Sequence, residues 1–523
     1  MDPHSNGTPI KRLLIVGGGT AGWLSAAFLA RTLGSAAPEG VQITLVESPD
    51  IGIIGVGEAT FPSIRGTLAA IGITETEFLR EANATYKAGI RFNHWVRPPG
   101  QPGADHYFHP FSQPSQRPNG PELLPYWLMG AAAPGAAFAE AVTMQKRVSD
   151  ASRAPKRLSD GDYLGPMNHA FHFDAARFAA LLSRHARERL GVRHELATVE
   201  RVELDAQGAI AGVVTRERGT LSADLYIDCT GFRGALMQAL DVPWRDMNHV
   251  LFADRAMAMQ VPYPRRDSPI APYTIATAQE AGWIWDIGLQ ERRGVGYVFS
   301  SRYTDDAQAE AALRRYLGAE AEGLEARTLK VRVGYRETPW VKNCVAVGLA
   351  GGFVEPLESS GIGLIETAAY LIGYLFPHDG HSAGTARLFN EMMVKRYERI
   401  IDFVKMHFAL TQRRDTPFWR ANADPASWTD SLRERLALWR GRPPHRLDFF
   451  TDFEMYPPSS WQYVLYGMEF VTEMSPAARA GHQRFAEAQR EFQAIAQLAE
   501  HALDDLPRHR ELVEQLCART GAR

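Results

Sequence analysis

The sequence has few cysteines and no long apolar run. Its three cysteines, Cys229, Cys344 and Cys517, are too few and too scattered among 523 residues for a disulfide framework or a zinc cluster. No stretch reaches the roughly 18 uninterrupted apolar residues that predict a membrane span. The first ten residues, MDPHSNGTPI, lack the basic start and apolar run of a signal peptide. We therefore expect a cytoplasmic protein in a reducing compartment.

An excess of charge of either sign is also missing. The formal net charge of -3 gives no electrostatic reason to expect a nucleic acid or an anionic membrane as partner. His94, His106 and His109 show no repeated metal-ligand spacing, so we predict loop or core histidines and no metal site. The hydrophobic content of 45% and charged content of 22% are those of a globular protein, long enough to form two or more units.

The order of patterns along the chain predicts an α/β fold. Residues 11–34 contain a short apolar strand, a glycine turn and a helical pattern, and residues 41–48 form a second strand that ends on an acid. Residues 97–121 hold seven prolines and predict a long excursion. Helical spacing dominates from about residue 384. We predict an α/β domain at 1–383 and a mainly helical region at 384–523 that packs on it and contributes to the substrate site.

The turn after the first strand fits the dinucleotide pattern G-x-G-x-x-G. Gly17 permits the tight turn, Gly19 lets a pyrophosphate approach the backbone, and Gly22 lets the helix pack closely on the strand. Thr20 and Ala21 complete the turn, where the helix N-terminus faces the phosphates. Glu47 lies 25 residues after Gly22, near the place of an acid that binds ribose hydroxyls. A tight glycine turn without a ligand would not explain why a strand, a helix and an acidic residue occur together at this spacing.

The later glycine-rich segments favour FAD over NAD. No second strand–GxGxxG–helix unit is present for a separate nicotinamide nucleotide. DCTGFRG at 228–234 follows an apolar strand and is similar to the second flavin-domain segment of FAD monooxygenases. CVAVGLAGGFVEPLESSGIGLIE at 344–366 is a strand, a glycine-rich turn and a helix start, although each segment also fits a plain sheet strand with its loop. We predict an FAD-binding, Rossmann-like fold of the flavin monooxygenase type with an additional helical C-terminal region.

The stretch ATYKAGIRFNHW at 84–95 alternates apolar and polar residues. This alternation predicts a half-buried strand with one face toward water. By that pattern Lys87 lies on the polar face and is an ordinary solvated lysine.

Five stretches together make the chain resemble the flavin-dependent halogenases of the tryptophan-halogenase type: GGGTAGW, GVGEATFPSI, NATYKAGIRF, GWIWDIGL and GGFVEPLESSGIG. The resemblance implies that reduced FAD, O₂ and chloride or bromide yield hypohalous acid, which halogenates an electron-rich aromatic substrate. It implies that Lys87 is the catalytic lysine, facing a closed cavity, and that Glu358 is its acidic partner. Backbone amides of Ser360 and Gly361 would bind halide. The remaining assigned residues are the cofactor contacts Val56, Ala59, Val199, Leu349 and Ile362, and the flavin- or substrate-lining Trp283, Trp285 and Trp461.

Two departures from the family pattern bear on rigidity and substrate. Gly288 stands where the Trp-x-Trp-x-Ile-Pro motif has proline, which predicts lower local rigidity. Free-tryptophan halogenases carry near this position a tyrosine pair that helps hold the amino-acid end, and this chain has Trp461 and Gln462 there. We therefore expect indole or another electron-rich aromatic, alone or attached to a larger molecule, rather than free tryptophan.

The resemblance also predicts a partner, a separate flavin reductase that supplies FADH₂ by diffusion. A homodimer is left open. Two other functions remain open at this point: an aromatic hydroxylase that uses the same flavin chemistry to transfer oxygen, and a flavin-binding protein without turnover. The presence of both Lys87 and Glu358 favours the halogenase.

Overall fold

A computed structural model describes residues 8–52, 57–115, 117–449 and 454–518. The chain divides into two compact units, each made of three segments. The first comprises residues 1–83, 173–248 and 331–398, and the second residues 84–172, 249–330 and 399–523.

The strands and helices are numbered in chain order. The strands are β1 (Arg12–Val16), β2 (Gln42–Glu47), β3 (Gly57–Ala59), β4 (Thr85–Lys87), β5 (Gly89–Asn93), β6 (His106–Pro110), β7 (Ala170–Asp174), β8 (Arg193–Leu196), β9 (Val199–Leu204), β10 (Ile210–Thr215), β11 (Gly219–Leu221), β12 (Leu225–Asp228), β13 (Trp244–Asp246), β14 (Arg255–Pro262), β15 (Thr274–Gln279), β16 (Gly282–Gly288), β17 (Arg292–Phe299), β18 (Arg327–Lys330), β19 (Gly334–Arg336), β20 (Trp340–Val341), β21 (Cys344–Ala346) and β22 (Gly352–Phe353). The helices are α1 (Thr20–Thr32), α2 (Ile64–Ile71), α3 (Glu75–Glu81), α4 (Leu123–Leu128), α5 (Phe138–Val142), α6 (Gln145–Asp150), α7 (Ala175–Arg189), α8 (Ala235–Ala239), α9 (Asp306–Leu317), α10 (Ser360–Tyr374), α11 (Ser382–Ala409), α12 (Pro417–Ala423), α13 (Asp430–Gly441), α14 (Pro458–Gly467), α15 (Pro476–Gly481), α16 (Phe485–Asp505) and α17 (His509–Ala518).

The first unit is built on a six-stranded sheet in the order β20-β21-β12-β1-β2-β8. β1 lies parallel to both β2 and β12, so Val16 stands between Val46 and Asp228. Helix α1 follows β1 directly and packs against α7 and α10. Parallel strands covered by helices form the doubly wound arrangement, which confirms the predicted α/β fold class.

The second unit is built on a seven-stranded sheet in the order β18-β14-β17-β16-β15-β5-β6. All neighbouring strands are antiparallel except β5 and β15, which run parallel. The described residues beyond 384 form helices and contain no strand, as the helical spacing predicts. The predicted boundary at 383/384 stays a prediction, because the division between the units cuts the chain elsewhere, within α11 after Glu398. No helix in the described ranges is long and apolar enough to cross a membrane.

Two expectations from the sequence are corrected here. The alternating pattern of residues 84–95 is wrong for its first half, because every residue from 84 to 90 is buried. The segment forms two short strands: β4 pairs with β7, and β5 lies between β15 and β6. The proline-rich excursion at 97–121 is not wholly irregular either, since it contains β6, which pairs with β5.

Candidate active site

The glycine turn of the first unit has room only where the dinucleotide pattern requires it. Gly17 has a φ of 115°, and a Cβ there would collide with the carbonyl oxygen of Cys229 at the end of the neighbouring strand. A Cβ on Gly22 would collide with the carbonyl oxygen of Gly17, so this glycine sets the close packing of α1 on the turn. A Cβ on Gly19 would meet nothing within 4 Å. The turn is thus closed on its protein side and open at Gly19.

The N-terminus of α1 is available to an anion. Gly19 is its N-cap residue and offers no side-chain cap, so no side chain there competes for the first-turn N–H groups. Thr20 is buried and Ala21 is half-buried. Gly348, with a φ of 66°, lies against Ala21 so closely that a Cβ on it would be 2.8 Å from the alanine methyl carbon. The third glycine-rich segment therefore reaches the start of α1.

Glu47 lies beside the same turn. It is the last residue of β2, and its carboxylate fills the space that a Cβ on Gly18 would need. His194 lies on the adjacent strand β8, and its Nε2 is 2.7 Å from Glu47 Oε1. The sequence places an acid near the turn, and the structure brings its carboxylate against the turn itself.

The other residues assigned to the cofactor are more dispersed. Val56 lies outside the described residues. Ala59 is half-buried in β3, Leu349 is half-buried in the 3-10 helix Gly348–Ala350, and Ile362 is buried in the first turn of α10. Val199 begins β9 and packs against an apolar cluster that includes residues of β1, β2 and β12, so its contacts are those of a core residue.

The residues assigned to halide binding lie at the start of a long buried helix. Glu358 is fully buried at the end of the 3-10 helix Pro356–Glu358. Ser359 follows in the left-handed region, with a φ of 57°, which is uncommon for a residue other than glycine and turns the chain into α10. Ser360 Oγ is buried and has no hydrogen-bond partner in the part of the chain that the structure describes, and Gly361 borders open space. Two first-turn amides and an unsatisfied hydroxyl form a suitable anion cradle.

Two glutamates of the first unit with shielded carboxyl oxygens were not predicted as site residues from the sequence. Burial raises the pKa of Glu58 to about 7, with a smaller contribution from Asp174, and Glu58 Oε2 is shielded from solvent with no hydrogen-bond partner among the described residues. Burial also raises the pKa of Glu366 to about 7, against hydrogen bonds from Thr67 and Ser63. Glu58 belongs to the quoted stretch GVGEATFPSI, which was the available signal; Glu366 sits in an apolar helix with no local signal.

In the second unit Lys87 is fully buried, contrary to its strand pattern. It ends β4, and its Nζ lies 5.1 Å from the centre of the Phe111 ring. Its charge reaches His172, whose pKa is held well below the usual range, first by burial and then by Lys87. His172 Nε2 lies 2.9 Å from Thr274 Oγ1, and within the described ranges its Nδ1 has no hydrogen-bond partner. A buried ammonium beside an aromatic face and a neutral imidazole is the environment of a reactive site rather than of a surface.

Aromatic rings surround His109, one of the three histidines predicted to be loop or core residues. It is buried on β6, with ring-centre distances of 6.3 Å to Phe111, 5.9 Å to Phe403 and 6.2 Å to Tyr463. Phe111 thus contacts both His109 and the ammonium of Lys87. The other two partners come from α11 and α14 of the helical region. No local pattern in the sequence connects these four rings.

The three tryptophans assigned to the site lie in two clusters. Trp283 and Trp285 occupy one face of β16 with ring centres 6.4 Å apart, and Trp95 packs against Trp283 at 6.5 Å. Trp461 is fully buried in α14 against Phe403, and its Nε1 has no hydrogen-bond partner among the residues that the structure describes. The structure does not bring Trp461 into ring contact with either of the other two assigned tryptophans among the described residues.

The proline position of the tryptophan motif is tightly packed despite its glycine. A Cβ on Gly288 would lie 2.7 Å from both Ile270 Cγ2 and Tyr263 Oη. Thr85 Oγ1 donates a hydrogen bond of 2.6 Å to the Gly288 carbonyl oxygen. Side chains from neighbouring segments therefore restrain this position, where the sequence alone predicts lower rigidity.

Residues 12–483 match the family model for tryptophan halogenases. The chain belongs to the tryptophan halogenase family. It is 37% identical to the tryptophan 6-halogenase SttH of Streptomyces toxytricini, over 95% of this chain and 96% of that protein. The crystal structure of a tryptophan halogenase from Shewanella frigidimarina matches it with a TM-score of 0.92 at 40% identity, over 98% of each chain. BrvH, a flavin-dependent halogenase from Brevundimonas sp. BAL3, matches with a TM-score of 0.85 at 33% identity, over 97% of this chain and 99% of its own.

These matches confirm the resemblance and make the chain a flavin-dependent halogenase enzyme. Membership of the halogenase family implies FAD and halide as ligands. The open turn at Gly19 and the unsatisfied hydroxyl of Ser360 fit the two groups, each at a helix N-terminus.

Proposed function

We propose that this halogenase uses FADH₂, O₂ and chloride or bromide to halogenate an indole or another electron-rich aromatic ring, with Lys87 directing the halogen. The observation that carries the proposal is the complete burial of Lys87 beside Phe111, in a strand whose pattern predicts a surface lysine. A buried ammonium costs several kcal/mol of desolvation, and a functional role accounts for keeping it.

The cofactor would be held by the first unit. The N–H groups at the start of α1, with the open space at Gly19, would bind its pyrophosphate, and Glu47 would bind ribose hydroxyls. When bound, reduced FAD with O₂ supplies the oxidising power that converts halide to hypohalous acid. Ser360 and Gly361 would hold the halide through their backbone amides at the start of α10, with the Ser360 hydroxyl as a further donor.

Lys87 and Glu358 would each act in one of the two steps that follow the formation of hypohalous acid. The Lys87 amine would bind hypohalous acid, through a hydrogen bond or as a haloamine, and present it to one ring carbon. Attack by the ring on the halogen forms the carbon–halogen bond and breaks the halogen–oxygen bond, so the oxygen leaves as water with a proton from the Lys87 ammonium. If a haloamine has formed with loss of water, the halogen–nitrogen bond breaks instead and the amine is regenerated. In both cases the ring holds positive charge and a proton that must be removed. Glu358 would stabilise that charge and accept the proton. This division follows the family resemblance, and the full burial of both side chains is compatible with it.

The substrate is argued from the relatives and from one helix. The relative from Streptomyces is named a tryptophan 6-halogenase. The indole ring of tryptophan is the electron-rich part that the chemistry requires. In this chain Trp461 is enclosed by other rings, and the Gln462 side-chain amide donates to the Pro444 carbonyl oxygen. The Trp461 ring is thus enclosed by its neighbours, and the Gln462 amide already makes a hydrogen bond within the protein. We therefore favour indole, or an indole within a larger molecule, over free tryptophan.

The supply of FADH₂ would come from a separate flavin reductase. The sequence contains no second strand–GxGxxG–helix unit that could bind NAD(P)H. We keep the cytoplasm as the proposed location because of the low cysteine content. Rapid halogenation from NADH alone, without a reductase or a chemical reductant, would contradict this part of the proposal.

The experiment that tests the function compares Lys87→Ala with Lys405→Ala. Lys405 is also fully buried in the second unit, where its Nζ donates to Asn422 Oδ1 and lies over Phe252, so its removal controls for the loss of a buried ammonium. With FADH₂, bromide and indole, Lys87→Ala should lose brominated indole and still release hypohalous acid to an added scavenger. Lys405→Ala should keep the product if it folds. Bromination by Lys87→Ala at the parent rate and ring position would reject the proposal.

A further inference from the structure

The strand that carries Lys87 is held differently on its two edges. On one edge β4 pairs with β7, with Lys87 opposite Ala170. On the other edge, within the described part of the chain, single groups take the place of a strand. Gln290 Nε2 donates to the Ala84 carbonyl oxygen at 2.7 Å. The Tyr86 N–H donates to His509 Nε2 at 3.0 Å. The Ala88 N–H donates to the Pro272 carbonyl oxygen at 2.7 Å.

His509 contacts Tyr86, the residue immediately before Lys87, just as the Pro272 carbonyl oxygen contacts Ala88 immediately after it. His509 is the first residue of α17, 423 positions beyond Tyr86, and is 1% exposed. Its Nδ1 lies 3.0 Å from the Ile270 carbonyl oxygen. Because the Tyr86 N–H only donates and the Ile270 carbonyl only accepts, Nδ1 carries the proton and Nε2 accepts. Burial, the largest influence, lowers the pKa of His509 to about 4, so the ring keeps this neutral form near neutral pH.

The next residue of α17 supports the same edge from a second point. Arg510 donates to the carbonyl oxygen of Ser268 and, through Nη1 at 3.1 Å, to that of Gln290. Gln290 in turn donates to the Ala84 carbonyl oxygen. Two consecutive residues of the last described helix thus reach the backbone of the lysine strand on the N-terminal side of Lys87, one directly and one through Gln290.

We propose that His509 is a positioning residue for halogenation: its hydrogen bond to the Tyr86 amide sets the position of Lys87 relative to the aromatic substrate. This inference rests on the proposed role of Lys87. The Tyr86 amide is joined to Lys87 by the intervening backbone, so a displaced amide displaces the lysine. A shift of about 1 Å in a reacting group can cost on the order of 10²-fold in rate. The loss should therefore appear in the transfer of halogen and not in the formation of hypohalous acid.

A merely structural role would depend on both hydrogen bonds of the ring, whereas positioning depends on one. In His509→Gln the longer side chain carries its amide oxygen to the place of Nε2, where it can accept from Tyr86. In His509→Asn the shorter side chain carries its amide nitrogen to the place of Nδ1, where it can donate to Ile270. Each variant keeps one bond and loses one: His509→Gln loses the bond to Ile270, and only His509→Asn loses the bond to β4.

The readout is the ratio of brominated indole to scavenged hypobromous acid, measured with FADH₂, bromide and indole. The ratio should fall about tenfold in His509→Asn, which corresponds to the loss of about one hydrogen bond. In His509→Gln it should stay within about twofold of the parent ratio. His185→Leu is the control, because it removes another buried histidine, whose Nε2 lies 2.8 Å from the Ile71 carbonyl oxygen in the first unit. It should lower the melting temperature without changing the ratio.

Equal ratios in the two His509 variants would overturn the inference. If His509→Asn is not recovered folded, Gln290→Leu decides: it removes the neighbouring bond to Ala84 and should lower the ratio, and an unchanged ratio counts against positioning. Lys87→Ala is measured alongside. The proposed function is refuted if the parent enzyme makes no brominated indole or if Lys87→Ala makes it at the normal rate. The positioning role alone is refuted if Lys87→Ala loses the product and the two His509 variants give equal ratios.

Discussion

Glu366 should make the halogenase less stable as the pH rises from about 4.5 to 7, and Glu366→Gln should abolish this dependence. The carboxyl group is buried within α10, where Ser63 Oγ and Thr67 Oγ1 donate to its two oxygens at 2.9 Å and 2.5 Å. Burial outweighs these bonds and raises its pKa from 4.5 to about 7. No cation contributes to the shift, so ionisation leaves a buried carboxylate held only by two hydroxyl groups.

The size of the effect follows from the shift. A difference of about 2.5 units between the folded and unfolded pKa corresponds to about 3 kcal/mol. Because the folded state binds the proton more tightly, its stabilising contribution is complete below pH 4.5 and is lost as the pH rises through 7. Glutamine has the volume of the protonated acid and cannot ionise. The free energy of unfolding of Glu366→Gln minus that of the parent should therefore rise by about 3 kcal/mol between about pH 4 and pH 8.

Denaturant or thermal unfolding of both proteins across this pH range measures the difference, and other titrating groups cancel in it. Glu391→Gln is the control in the same unit. Glu391 is exposed on α11, and its hydrogen bond with Lys395 lowers its pKa, so its contribution has the opposite sign and is lost on acidification. A difference that stays flat for Glu366→Gln would show that this carboxylate is solvated in the folded state, which would refute the reasoning from burial.

Three further outcomes follow from the site. Gly19→Ala should leave the melting temperature unchanged and weaken FAD binding about tenfold, whereas Gly22→Ala should lower the melting temperature, because only the second Cβ collides with the protein. Ser360→Ala should keep or raise the melting temperature, since the lost hydroxyl has no partner, yet increase the KM for halide; an unchanged KM would exclude the hydroxyl as a ligand. Indole should have a higher kcat/KM than tryptophan, because Gln462 is already bonded to Pro444, and the reverse order would contradict the proposed substrate.

The nucleotide-binding part of the fold could be predicted from the sequence because its signals are local. The strand, turn and helix around Gly17 and Gly22 occupy one short segment, and each glycine is required by atoms of the adjoining strand or turn. Glu47 is the end of the next strand, and parallel packing of β1 and β2 brings it to the same edge. Local spacing therefore carried enough information for this half of the site.

The surroundings of Lys87 could not be predicted in the same way. Its strand pattern indicates one face in water, but β7 covers one edge of β4 and the other edge meets residues as distant as His509. The burial of this strand depends on tertiary contacts with distant segments, and the alternation of apolar and polar residues along the strand does not reveal such contacts. Gly288 shows the same limit, because its rigidity comes from Tyr263 and Ile270 rather than from its own backbone preference.

The residues to which we assign the chemistry share a position in the fold, and this explains why distant contacts matter to them. Lys87 ends a strand, Glu358 ends a 3-10 helix and Ser360 begins a helix. An end residue has half of its backbone outside the regular hydrogen-bonding of its own element, which leaves groups free for ligands and also leaves its position less constrained. At Ser360 the constraint comes from the left-handed conformation of Ser359, and at Lys87 from side chains of α17 and of the turn after β16. Substitutions in these supporting residues should therefore change halogen transfer more than they change the fold.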